Sequence, residues 1–357
     1  MTQKELTKLN IGQNLDDLMN IDPRGYGICR ILYAAAREYT GKPLTMNAAE
    51  QFVNTVKEGD LVYILTGFVL PAHKEAETDG IISSMFLARA LVKAFGAKPV
   101  IICQEENMRG VQSLSFVMGL HLYETWEELK KYPISMGVFP FTKEESQAEQ
   151  MTDELLSHGI PSAVISIEHP GANEKGIYHN AVGLDCTLLE AKTDVLFERL
   201  QSLGVLNIAI GDLGNELGMG TIEKQLKTYV PYAGPGMCQC GCGGGIAVRT
   251  KADHLITATV SDWGCYGLIA AMAYLMGDRN IFQNEELEVE AMKTAARSGM
   301  NDMYGWLIPS IDGMGLRINV AIVNLMRDCI KYPVELEQTC ATWFEKVDEL
   351  GYYDRKK

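Results

Sequence analysis

The sequence contains no apolar run long enough to cross a bilayer. Its uncharged apolar stretch from Trp263 to Gly277 is fifteen residues between Asp262 and Asp278. A spanning helix needs about 20 apolar residues, so this stretch reads as a buried helix. The amino terminus, MTQKELTKLNIGQNLDDLMN, lacks the apolar core of a signal peptide. Positive charge is in deficit: 32 Lys and Arg stand against 46 Asp and Glu, a net charge of −14. That balance argues against nucleic acid and anionic membranes as partners. The nine cysteines are an odd number, and most lie in apolar context, as at Cys29, Cys103, Cys265 and Cys329. A disulfide scaffold is shorter and denser in cysteine, so a reducing cytoplasm is expected. Also missing are the G-x-x-x-x-G-K-[ST] phosphate loop, the G-x-S-x-G nucleophile elbow and an Asp-x-Asp pair after the first strand.

What is present is an alternation of strand and helix patterns. Leu61–Leu65, Pro99–Cys103, Ile134–Phe141, Ala163–Ile167 and Val205–Ile210 are short apolar runs that predict strands. Gly80–Phe95, Lys143–His158 and Thr187–Leu203 between them predict helices. Such an order implies an α/β fold with a largely parallel sheet covered on both faces. After Tyr229 the rhythm breaks. PYAGPGMCQCGCGGG must be a loop, Ile246–Arg249 and Leu255–Val260 predict further strands, and helices follow from Trp263, Glu285, Ile318 and Glu335. Gly25–Glu38 and the stretch from Thr45 to Gly59 predict helices in front of the first strand. The expected organisation is a helical layer over residues 1–58 packed on one large α/β domain, residues 59–357.

Polar clusters follow several of these strands, where parallel sheets bind ligands. Thr66-Gly67-Phe68 leads to His73, Glu75, Glu77, Thr78, Asp79 and Gly80. One of these acids could cap the next helix, but three exceed what a cap requires. The stretch IGDLGNELGMG, Ile210 to Gly220, places Asp212, Asn215 and Glu216 among four glycines. The glycines permit close approach of main chain, Gly214 included, and the oxygen donors suit magnesium or manganese rather than zinc. The third cluster, IEHPGANEKGIYHNAVGLD, carries Glu168, His169, Lys175, Tyr178, His179, Asn180 and Asp185. Asp253-His254 and Ser261-Asp262-Trp263-Gly264 form a fourth, in which Asp262 could cap a helix. Cys238-Gln-Cys240-Gly-Cys242 lacks the C-x-x-C pairs of common zinc and iron–sulfur sites. It reads as free thiols in a flexible loop.

Taken together these segments resemble the D-glutamate cyclase C-terminal domain family. The blocks that carry the resemblance are Thr66-Gly-Phe, Glu77-Thr-Asp-Gly80, Glu168 with His169-Pro-Gly, Tyr178-His-Asn with Gly183-x-Asp185, Gly211-Asp-x-Gly-Asn-Glu-x-Gly-Met-Gly220, Ala252-Asp-His-Leu and Ser261-Asp-Trp-Gly264. The similarity runs from about Gly25 to beyond Arg317, and the C-x-C-x-C insertion departs from it. The resemblance implies a Rossmann-like α/β domain. In animal enzymes this domain is the second half of a mitochondrial protein that converts D-glutamate to 5-oxo-D-proline and water. The hydro-lyase-like first half has no counterpart in this sequence.

On that basis the expected activity is a metal-dependent cyclase, a lyase acting on a small anionic substrate with manganese or magnesium. Glu77, Asp79, Asp212 and Glu216 would hold the metal. Asp212 would also act in catalysis, with His179 or Asp185 as acid/base. Thr66, Gly67, Lys175, Asn180, Gly214 and Asn215 would bind substrate. The same constellation would serve a divalent-metal-dependent phosphatase, and a sensor that binds an amino acid or nucleotide without turnover is a third class. A homo-oligomer is compatible with all three.

Overall fold

Consecutive apolar residues in a strand point to opposite faces, so a run buried at every position must be covered on both sides. Leu61–Thr66 and Lys98–Cys103 are buried throughout, and so is Ala163–Ile167. The computed structural model, which describes residues 2–351, accordingly places them at the centre of a sheet.

The chain opens with helices α1 (Gln3–Met19), α2 (Ile28–Thr40) and α3 (Leu44–Thr55), followed by β1 (Leu61–Thr66). A small hairpin, β2 (Val69–Leu70) and β3 (Glu75–Ala76), precedes α4 (Ile81–Phe95) and β4 (Lys98–Cys103). Next come α5 (Met108–Met118), β5 (His121–Tyr123), α6 (Trp126–Lys131), β6 (Ser135–Pro140), α7 (Glu145–Ser157) and β7 (Ala163–Ile167). After a long loop the chain forms α8 (Asp194–Ser202), β8 (Leu206–Gly211), α9 (Glu223–Tyr229) and β9 (His254–Thr257). It ends with α10 (Ser261–Met276), α11 (Glu285–Arg297), the hairpin β10 (Ser310–Ile311) and β11 (Met314–Gly315), α12 (Leu316–Glu335) and α13 (Glu337–Glu349).

Seven strands form one sheet in the order β5-β6-β4-β1-β7-β8-β9, and every pairing in it is parallel. The two hairpins are the antiparallel strand pairs among the described residues. With helices around it, this is the α/β, Rossmann-like architecture expected. The stretch after Trp263 is buried as anticipated: α10 is covered from Ser261 to Ala273. No described helix is long and apolar enough to cross a membrane. One hydrophobic cluster runs from Ile11 in α1 to Ile330 in α12. Buried Asp16 joins α1 to the start of α3 by accepting from the amides of Leu44 (2.6 Å) and Thr45 (3.1 Å) and from the Thr45 hydroxyl (2.7 Å). Residues 352–357 of the expected 59–357 span lie outside the described residues.

Two expectations need correction. The helix anticipated over Thr187–Leu203 begins only at Asp194. Glu190 is turned inward instead, accepting from the Val69 amide at 3.0 Å, while Lys192 bonds back to the Glu190 carbonyl at 2.8 Å. Local propensity yields to the long-range bond between Glu190 and Val69. Ile246–Arg249 is not a strand. Its amides are spent on loops: Ile246 to Tyr232, Val248 to Gly214 and Arg249 to Ala172.

Candidate active site

The strand order runs outward from β1 in both directions, so the β1–β7 boundary is the switch point of the sheet. Open parallel sheets bind ligands beyond the carboxyl ends of strands at such a point. Register aligns Thr66 with Ile167 and Ile167 with Ile210. The next residues along β7 and β8 are Glu168 and Asp212. They open into a cavity of about 210 Å³, lined also by Phe68, Glu77, Asp79, Asn180, Val182, Asn215, Met303 and Asp312. A larger hollow of about 500 Å³ lies between α1 and α3, but none of its charged residues is buried, and Lys8 and Glu50 there pair with each other.

Carboxylate oxygens of Asp79, Asp212 and Asp312 lie within 4.8 Å of one another, as do those of Glu168, Asp212 and Glu216. Asp212 belongs to both groups. The cation facing them is Arg24: its Nη1 is 2.7 Å from Asp312 Oδ2 and its Nη2 is 3.8 Å from Asp212 Oδ2. The guanidinium also donates to the Thr259 carbonyl. Asp22 accepts from the amides of Gly25, Tyr26 and Gly27, which fixes the turn that aims Arg24 inward.

Burial dominates the electrostatics. Desolvation, then the charge of Asp312, lifts the Asp79 carboxyl to about 7. Glu77, Glu168 and Asp212 are raised well above the ordinary carboxylate range by burial first and then by a neighbouring carboxylate, Asp312 for Glu77, Glu216 for Glu168 and Glu168 for Asp212. Asp312 is raised by burial despite its ion pair with Arg24. So many acids cannot ionise together beside one guanidinium. They retain protons or share a cation.

The helices around the site are fastened by the same acids. Asp79 accepts from the amides of Asp262 (2.9 Å) and Ser261 (3.3 Å), at the start of α10. Asp262 accepts from Gly80 (2.8 Å) and Ser83 (3.3 Å), at the start of α4. Each aspartate thus caps the other's helix, and both positive helix ends face the cavity wall. Ser261 Oγ donates to Glu168 Oε2 at 2.5 Å. Glu168 itself has φ +43°, a left-handed conformation that costs a non-glycine residue energy and is concentrated at functional sites.

The residues singled out from sequence divide into two sets. Glu77, Asp79, Asp212, Asn180 and Asn215 line the cavity. Glu216 lies beneath it, its carboxylate accepting from the amides of Asp212 (3.3 Å), Leu213 (2.9 Å) and Gly214 (2.6 Å). That fold-back gives the glycine-rich loop its shape. Asn215 Nδ2 donates to the His179 carbonyl at 3.1 Å, while its buried Oδ1 has no partner.

The second set lies elsewhere. The His179 imidazole points away from the acids, toward Cys240 Sγ at 3.1 Å. Asp185 is exposed and accepts from the Thr187 amide at 2.8 Å. Lys175 is exposed on a turn whose amide is held by Asn173. Gly67 is packed against Asn107 and Gln104, its carbonyl taken by Gln104 and His169. Thr66 is buried beside Gly80 without lining the cavity, and Gly214 is packed on Leu226. None of these six residues lines the cavity, and the buried Thr66 hydroxyl has no hydrogen-bond partner. The cysteines of Cys238-Gln-Cys240-Gly-Cys242 are free, as expected, but they converge on His179 rather than occupying a loose loop.

Arg24 and Asp312 escaped the sequence reading. Arg24 lies in a Pro-Arg-Gly turn outside any periodic element, and Asp312 in a two-strand hairpin too short to carry a pattern. An uncommon Ser-Ile-Asp-Gly turn was the available signal for the latter.

The family described as D-glutamate cyclase-like, C-terminal, matches residues 15–327 of this chain. The human protein D-glutamate cyclase, mitochondrial, is 25% identical over 271 residues, which is 74% of this chain and 39% of the relative. This chain therefore spans about two-fifths of that relative's length. The match covers Arg24, all seven sheet strands and the hairpin that holds Asp312, and on that extent the chain belongs to the D-glutamate cyclase-like C-terminal family.

Proposed function

We propose that the chain is a metal-dependent D-glutamate cyclase-like lyase that interconverts D-glutamate with 5-oxo-D-proline and water. One observation carries the reading: buried Asp79, Asp212 and Asp312 converge on one point opposite Arg24 at the switch point of the sheet. The donors are all oxygen, the unpartnered Asn215 Oδ1 is beside them, and such a set fits magnesium or manganese. A cation bound there would polarise the γ-carboxyl group and offset repulsion between an anionic substrate and the acidic walls.

Cyclisation forms a bond between the amine nitrogen and the γ-carboxyl carbon. The nitrogen loses a proton and the departing oxygen leaves as water. Glu168 is suited to hold that proton: it borders the cavity, burial and like charges favour its protonated form, and one of its oxygens is fixed by Ser261. This role replaces the one first considered for His179 and Asp185, whose side chains point elsewhere. Arg24 supplies fixed positive charge, and Asn180 and Val182 form part of the cavity wall. The free state of the described cysteines supports a reducing, cytoplasmic setting.

A second reading, phosphate-ester hydrolysis, draws on the two carboxylate groups that share Asp212, a disposition that could hold two cations. Purified protein incubated with D-glutamate and with a panel of phosphate esters, with and without manganese, separates the two. Accumulation of 5-oxo-D-proline supports the cyclase, and release of phosphate replaces it with the hydrolase. Saturable binding without product would make the chain a small-molecule binding protein.

A further inference from the structure

A second cluster of ligating atoms lies on the far side of the Asn180 wall. His179 Nε2 and the sulfurs of Cys238, Cys240 and Cys242 all lie within 4.8 Å of one another. The separations are 3.1 Å from Nε2 to Cys240 Sγ and 3.7 Å to Cys242 Sγ. Cys238 Sγ is 3.5 Å from Cys242 Sγ and 3.6 Å from Cys240 Sγ. Zinc bound tetrahedrally at about 2.3 Å from sulfur and 2.0 Å from nitrogen sets ligand–ligand edges of about 3.8 Å and 3.5 Å. The four measured separations lie within about 0.4 Å of those edges, and the remaining two pairs are within 4.8 Å.

The spacing that argued against a metal from sequence makes this possible. In C-x-C-x-C alternate residues face one way when the backbone is extended. Here Gly241 and Gly243 have φ of +78° and +82°, which tightens the turn and brings all three sulfurs to one point. Hydrogen bonds orient the sulfurs further. Cys240 Sγ accepts from the Cys242 amide at 3.5 Å, and Cys242 Sγ accepts from the Gly244 amide and from buried Asn173 Nδ2, each at 3.4 Å. Donors to sulfur are the usual support of a thiolate ligand.

We propose that His179, Cys238, Cys240 and Cys242 form a closed structural site for a thiophilic tetrahedral cation of the zinc class, separate from the oxygen-lined site. Binding takes neutral imidazole and three thiolates, so each thiol gives up its proton to solvent and the site carries one net negative charge. Four protein ligands leave no position for substrate. The consequence is mechanical. The cation joins the 237–245 loop to the 178–186 loop, whose Asn180 and Val182 wall the carboxylate cavity. Asn215, in the glycine-rich loop, already grips the His179 carbonyl. Gln239 adds bonds from its amide to the Gly183 carbonyl (2.9 Å) and from its side chain to the Val182 carbonyl (2.8 Å).

The test is elemental analysis of the full chain purified under reducing conditions. About one zinc per chain is expected, as a closed four-ligand site requires. Asp212→Asn should keep it, and the double variant Cys240→Ser, Cys242→Ser should lose it. Should that variant fail to fold, the unaltered chain still decides: cobalt exchanged for zinc should give sulfur-to-cobalt charge-transfer bands and tetrahedral d–d bands, abolished by a mercurial. Hydrogen exchange at residues 179–184 should quicken when the cation is stripped. The proposal is overturned by protein that neither carries nor takes up zinc or cobalt, by a Cys238–Cys242 disulfide in the reduced preparation, or by iron with acid-labile sulfide.

Discussion

Asp79 and Asp262 each hold the amino terminus of the helix that the other begins. Asp79 accepts from the Asp262 amide at 2.9 Å, and Asp262 accepts from the Gly80 amide at 2.8 Å. The pair clamps α4 to α10 beneath the cavity. Asp262→Ala leaves the Ser83 amide buried without an acceptor and the Gly80 amide with Asp79 Oδ1 alone. Loss of a cap and an unsatisfied amide together cost about 2 kcal/mol. Urea unfolding at neutral pH should show a fall of that size, and an unchanged midpoint would remove Asp262 from the clamp.

Asp212 has a different duty. It belongs to both carboxylate groups and caps no helix, so Asp212→Asn should leave the fold intact while ending turnover. Loss of a supporting contact to a metal ligand costs about 10–100-fold, so loss of a ligand itself should exceed about a hundredfold in manganese affinity. Calorimetric titration with manganese, beside circular dichroism, reads both. Wild-type manganese affinity in Asp212→Asn would sink the assignment.

Arg24 is a largely buried cation between Asp212 and Asp312. Removing one partner of a buried pair costs about 3–5 kcal/mol because the other charge is stranded. Arg24→Ala should therefore be strongly destabilised, and adding Asp312→Asn should recover part of the loss. A thermal-unfolding double-mutant cycle measures the coupling. Strictly additive effects would show that the pair does not act as a unit.

The glycine-rich loop can be tested by steric contrast. Gly218 has φ +94°, and a Cβ there would lie 2.2 Å from Ala209 Cβ on β8. Gly176 has φ +77° with nothing within 4 Å. Gly176→Ala should cost only the left-handed conformation, about 1 kcal/mol. Gly218→Ala adds overpacking and should cost about 3 kcal/mol or prevent folding. Equal losses in denaturant would mean that the close approach to β8 is not what the glycine serves.

A pH-dependent effect is expected away from the site. Burial raises the Glu288 carboxyl from 4.5 to about 7, and its Oε1 accepts from Tyr266 Oη at 3.0 Å. Between those values the unfolded chain has released the proton that the folded chain still holds. Stability from this group is full below pH 4.5 and is lost as pH rises toward 7, by about 1.4 kcal/mol per pH unit at most. Glu288→Gln keeps an acceptor without the charge. It should match the unaltered protein at pH 5 and be more stable at pH 8. A stability difference that does not change between those two pH values would contradict the account.

Much of the scaffold could be read from the chain. The strands at Leu61, Ala163 and Val205 and the helices at Gly80, Trp263 and Glu285 follow from unbroken apolar runs, helical spacing and glycine stops. The acids of ETDG and GDLGNELGMG were also visible, because oxygen donors set among glycines differ from a solvated helix face. His179 shows the limit: a histidine next to Asn180 is compatible with acid/base work until Cys240 and Cys242 are found against its ring. Glu216 shows another, since only the folded loop reveals that its carboxylate is engaged by three amides.

The residues alone determined that strands and helices would alternate, that the sheet would be buried on both faces, and that acids such as Asp79 and Asp212 would stand among glycines at strand ends. These properties depend on neighbours a few positions apart, and periodicity records them. Tertiary structure decided that Asp79, Asp212 and Asp312 meet, that Arg24 reaches them from the helical layer, and that His179 joins the cysteines. Such meetings depend on strand order and loop closure across the whole chain, which local spacing does not encode.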